Sequence, residues 1–151
     1  MTTARLLRNA QQVLERHEQR HAQALVECER QVRQNLLKLS ELERYLETYL
    51  HDFEQHVQAG IDAARARSYQ SFIARVAQAI AEQQQVLARA RTAQAEELRR
   101  WRDAARRSAA VDHLVRRGAE AAQRRAEKAE QAAADRHAQR LWALKGTRRG
   151  S

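Results

Sequence analysis

The stretch "HVQAGIDAARARSY", His56–Tyr69, decides the fold. It holds the one glycine near the middle of the chain, Gly60. Glycine tolerates the left-handed backbone that commonly closes an α-helix. Asp62 follows, a side chain suited to capping the start of the next helix. Both flanks carry the same 3,4 spacing. Upstream it runs Leu25, Cys28, Val32, Asn35, Leu39, Leu42, Leu46, Tyr49, Phe53 and His56, with Leu25, Val32, Leu39, Leu46 and Phe53 at heptad position a and the others at d. Downstream it runs Tyr69, Ile73, Val76, Ile80, Gln83, Leu87, Ala90, Gln94, Glu97, Trp101, Ala104, Ser108, Val111 and Val115. The two runs are one residue out of phase: continuing the first through whole heptads reaches Ala74, whereas the second sits on Ile73. A turn at Gly60 explains that slip better than a continuous rod does.

An a/d stripe lies along one side of a helix, where a second helix can cover it. The expected fold is therefore all-α: an antiparallel two-helix coiled-coil hairpin forming a single domain. The expected boundaries are helix 1 at about 3–58, a turn at about 59–62, helix 2 at about 63–143 and a basic flexible tail at 144–151. At 1.5 Å per residue the helices span ~80 Å and ~120 Å, so the second must overhang. Composition agrees, because the chain has no proline and four glycines, two of them in its last six residues, which leaves long helices uninterrupted. Much of the 43% hydrophobic content is alanine, which implies a thin seam instead of a thick core. Asn35 at a core position is costly and helps to fix register. Before Leu25 the stripe loosens to Leu14, His17 and His21. After Val115 it weakens through Gly118, Ala122, Arg125 and Ala129.

Several functions are disfavoured. Cys28 is the sole cysteine, so no internal disulfide can form, which fits a reducing compartment. No apolar run approaches the ~20 residues that span a bilayer. The N-terminal "MTTARLLRNAQQ" lacks the apolar centre of a secretion signal. A cytoplasmic location is expected. His17 and His21 are one turn apart, but Cys28 is too far along the axis to share their ion, so no metal or cofactor is expected. Carboxylates are spread along solvent faces with no pocket to perturb them, and no enzyme activity is expected.

Charge is uneven. Residues 1–98 hold 13 Lys+Arg and 13 Asp+Glu, while residues 99–151 hold 15 against 6 and carry the entire net +9. Such a block suits an acidic protein surface, a membrane surface or nucleic acid. Trp101 beside it could stack on a base, but it falls on the a/d stripe, where packing accounts for it.

One flank departs from coiled-coil habit. Lys38 and Tyr45 occupy position g of the first helix, and Phe72 and Ala79 occupy g of the second. In an antiparallel pair these edges lie side by side, and they usually carry charge. Here Tyr45, Phe72 and Ala79 share a face bordered by Leu42, Tyr49, Val76 and Gln83. Either they broaden the seam near the turn, or they anchor a partner.

Taken in order, "LERYLETYL", the turn glycine in "QAGIDAA", "SYQSFIARVAQAIAEQQ" and "LRRWRDAARR" resemble the flagellar export proteins of the FliJ family over roughly residues 25–140. The resemblance implies a coiled coil similar to the central stalk of rotary ATPases, working without catalysis in flagellar type III protein export. Its implied partners are the hexameric export ATPase and the membrane export gate protein FlhA, together with export chaperones and the ATPase regulator. The implied gate-binding residues are Lys38, Leu42, Tyr45, Tyr49, Phe72, Val76, Ala79 and Gln83. The ends opposite the turn, Met1 to about Leu25 and the basic second half of helix 2, are implied to face the ATPase ring. The basic residues concerned are Arg99, Arg100, Arg102, Arg106, Arg107, Arg116, Arg117, Arg124 and Arg125. The implied location is cytoplasmic, peripheral to the inner membrane. Asp135 is followed by Arg136 where the family often carries Asp-Glu. The alternatives are an injectisome stalk protein, which shares the architecture, and a nucleic-acid-associated coiled coil.

Overall fold

A computed structural model describes residues 2–149. Two α-helices account for nearly all of them: α1 at Thr2–Ala59 and α2 at Ala63–Arg149. They pack against each other as a two-helix hairpin. The connection is Gly60–Asp62. Gly60 has φ +90°, and its N–H donates to the Val57 carbonyl at 3.3 Å. It therefore ends α1 in the left-handed conformation that only glycine adopts without strain. Asp62 Oδ1 accepts from the Arg65 N–H at 2.7 Å, and its carbonyl accepts from the Ala66 N–H at 3.0 Å. That is a side-chain N-cap followed by the first intrahelical bond.

The end of α2 differs from expectation. Residues 144–149, read as a flexible tail, are helical. Gly146 costs only about 1 kcal/mol in a helix interior, and good helix formers surround it. Met1, Gly150 and Ser151 lie outside the described residues.

The chain divides into two compact units. In the first, His17–Ala105, which includes the turn, the helices run antiparallel. Tyr49 meets Tyr69, Asn35 meets Gln83 and His21 meets Glu97, each step down α1 matching a step up α2. The seam is thin: Val76, Gln83, Leu87, Glu97 and Ala104 are its buried residues, and the other a/d positions are half-buried. Two polar links interrupt it. Gln83 donates to Asn35 at 3.0 Å. His21 Nδ1 and Glu97 Oε1 are 2.7 Å apart, and Arg100 approaches the other carboxylate oxygen at 3.3 Å. Hydrogen bonding to His21 is the main cause that holds the Glu97 carboxyl below its ordinary pKa, with Arg100 adding to it and burial opposing it.

The second unit comprises Met1–Arg16 and Arg106–Ser151. Gln11 Nε2 donates to Asp112 Oδ1 at 2.7 Å. Thr3 and Leu7 of α1 line an apolar groove with Leu114, Val115, Gly118 and Ala122 of α2. Of the expected weak seam, Gly118, Ala122 and Arg125 border this groove without being shielded, and Ala129, like every described position from Ala122 onward, is exposed.

The N-terminal part of the stripe also needs correction. His17 is exposed, while Leu7, Gln11, Leu14, Glu18 and His21 are shielded. The 3,4 spacing thus continues unbroken, with polar Gln11 and Glu18 at a positions. Their polarity hid the register, and His17 was the wrong choice by one residue.

Candidate partner-binding face

Near the turn the seam becomes aromatic. Tyr49 stacks on Phe72, ring centroids 4.2 Å apart and planes 28° from parallel. Tyr45 lies 5.1 Å from Tyr49 and meets Phe72 edge-on at 6.0 Å. Tyr69 continues the cluster, 5.5 Å from Phe53 and 5.6 Å from His56. Offset and edge-on ring pairs add about 0.5–1.5 kcal/mol each beyond their buried area. The helices position these groups simply: Tyr45 and Tyr49 are one turn apart on α1, and Phe72 faces both from α2.

The eight residues singled out from sequence do not form one uniform surface. Val76 and Gln83 are buried in the seam, and the Gln83 amide is spent on Asn35. Leu42, Tyr49, Phe72 and Ala79 are half-buried. Lys38 is exposed, and Tyr45 is 50% exposed. A partner approaching this edge meets Tyr45 and the open sides of Phe72 and Ala79, with Lys38 beside them. Tyr45 differs from Tyr49 as the heptad lettering implies, one on the flank and one in the seam.

Sequence reading missed Arg75. Its guanidinium carbon sits 5.8 Å from the centre of the Phe72 ring, within cation–π range. The i, i+3 spacing from Phe72 was the available signal. It places a cation at the margin of the aromatic face.

The basic residues are on the surface. In the unit that includes the turn, Arg99, Arg100 and Arg102 are exposed, with Arg100 engaged by Glu97. In the other unit Arg106, Arg107, Arg116, Arg117, Arg124 and Arg125 are exposed. Trp101 is half-buried, as a seam residue should be. Asp135 is exposed, 3.4 Å from the Gln131 amide that donates to it. No group of three or more His, Cys, Asp or Glu that could hold a metal occurs among the described residues. No described helix is long and apolar enough to cross a membrane.

The sequence model of one protein family, described as "Flagellar FliJ protein", matches residues 3–147, nearly the whole chain. No curated protein and no solved structure matches it.

Proposed function

The chain belongs to the flagellar FliJ family, and from that premise we propose that it is a non-enzymatic stalk linking the export ATPase ring to the membrane export gate. Membership makes it a component of flagellar type III protein export. On this proposal the edge formed by Lys38, Leu42, Tyr45, Tyr49, Phe72, Val76, Ala79 and Gln83 binds the gate protein FlhA. Within that set Tyr45 and Phe72 make the direct contacts, while Val76 and Gln83 hold the seam beneath them. The exposed arginines from Arg99 to Arg125 face acidic surfaces of the ring. Export chaperones and the ATPase regulator are further partners. The site of action is cytoplasmic, at the inner-membrane export apparatus.

The observation that carries the proposal is the half-exposed Tyr45 ring. It sits against Tyr49 and Phe72 at a heptad position that ordinarily carries charge. A large aromatic side chain packed against its neighbours and open on one side suits a binding hot spot, where Tyr is enriched.

The test is a pull-down of the full chain with the export ATPase and with the cytoplasmic domain of the gate. Tyr45→Ala/Phe72→Ala should weaken gate binding while helix content and ATPase binding persist. Equal gate binding by wild type and variant would refute the assignment.

A further inference from the structure

A second stripe runs along the other edge of α1, away from Tyr45. Leu36, Ser40, Glu43, Glu47, Leu50, Glu54 and Val57 form one 3,4-spaced row, and all seven are exposed. Leu50 is 45% and Val57 48% exposed. No ion pair among the described residues engages Glu43, Glu47 or Glu54. The row mixes three apolar and three acidic side chains with Ser40, and it spans about 31 Å of helix.

The end of α2 has the complementary chemistry. From Arg136 to Arg149 the cations are Arg136, Arg140, Lys145, Arg148 and Arg149, with no Asp or Glu among them. Leu141, Trp142 and Leu144 are exposed in the same segment, Trp142 at 80%. Trp142 and Lys145 are three residues apart on one side of the helix, as Leu141 and Lys145 are at four. This segment is about 20 Å long, short enough to lie on the acidic row.

We infer that the C-terminal segment of α2 docks on the Leu36–Val57 row of a second copy of this chain. Trp142 and Leu141 would cover Leu50 and its neighbours, and the cations would meet Glu43, Glu47 and Glu54. Charge complementarity selects this occupant: one row carries three carboxylates and no base, and the segment from Arg136 to Lys145 carries three bases and no acid. The two patches differ, so the rotation between copies sets the assembly: a reciprocal pair makes a two-fold dimer, and a one-way contact repeats into a ring or an open chain of copies. The ion pairs are exposed, so salt weakens the contact.

Sedimentation velocity of the full chain, under reductant so that Cys28 cannot crosslink, tests the inference. The sedimentation coefficient should rise with protein concentration at low salt and fall back at high salt. Trp142→Ala and Glu47→Lys/Glu54→Lys should each weaken association about tenfold or more, with helix content unchanged by circular dichroism. An equimolar mixture of the two variants should form one-to-one dimers that do not grow, since one keeps the row and the other keeps the tail. A chain monomeric at every concentration would overturn the inference, as would association that survives either variant. A monomeric mixture of the two would also overturn it, because that marks contact between identical patches.

Discussion

Gln83, buried in α2, donates from Nε2 to both oxygens of Asn35 on α1: the side-chain carbonyl at 3.0 Å and the backbone carbonyl at 3.1 Å. Asn35 in turn donates its own amide to the Gln31 carbonyl at 2.9 Å. The pair is a polar lock within an otherwise apolar stretch of seam. Any other stagger of the helices would leave the buried Gln83 amide without its Asn35 partners.

Replacing one partner should therefore cost more than replacing both. Gln83→Leu strands the Asn35 carbonyl against an apolar neighbour, and we expect a loss of about 1–2 kcal/mol by urea denaturation. Asn35→Leu/Gln83→Leu should regain that loss or exceed wild-type stability, while losing its unique register. Register is checked by paired spin labels across the seam, which should give one distance in wild type and a spread in the double variant.

The two tyrosines of "ERYLETYL" should separate by stability. Tyr49 stacks on Phe72 at 4.2 Å and lies in the seam. Tyr49→Ala removes that contact and leaves a gap, so a loss of about 2–4 kcal/mol is expected. Tyr45 is half exposed, and Tyr45→Ala should cost about 1 kcal/mol or less. Chemical denaturation of both variants checks the order, and an inverted order would place Tyr45 in the core.

Much of this was legible in the sequence because the seam obeys one period. Every a/d position from Leu25 to His56 and from Tyr69 to Val115 is shielded, and the one-residue slip marked the turn that Gly60 makes. Hydropathy failed where core positions are polar, as at Gln11 and Glu18. It also failed where a register position stays exposed, as at Ala129. The flank lettering placed Tyr45 beside Phe72, but it could not say how open the ring is. The His21–Glu97 pair was illegible as well. Two polar residues 76 apart are joined only by the stagger that the turn sets.

That pair gives the seam a pH dependence. The Glu97 carboxyl is held below its ordinary value of 4.5, chiefly by His21 and also by Arg100. A depressed carboxyl pKa in the folded chain contributes stability above the unfolded value, and this is lost as pH falls through the folded one. Wild type should exceed Glu97→Gln in stability by about 1 kcal/mol at neutral pH, since the His21 side chain is one-third exposed and solvent screens the pair. The gap should close as pH drops below the ordinary glutamate range. Denaturation midpoints of the two proteins across pH check it, and a constant gap would mean that the carboxylate charge contributes nothing.

Gly60 and Gly118 should respond to the same substitution with opposite signs. A Cβ at either position meets nothing within 4 Å, so sterics with neighbours play no part. Backbone conformation decides. At Gly60, φ is +90°, where an added Cβ crowds the backbone. Gly60→Ala should cost about 1–2 kcal/mol. Gly118 lies inside α2, exposed at the groove it borders with α1. There alanine has the better helix propensity and restricts the unfolded chain, so Gly118→Ala should gain about 0.5–1 kcal/mol. Thermal denaturation of the two variants side by side is sufficient. If Gly60→Ala were neutral, the turn would not depend on the left-handed residue that separates the two heptad registers.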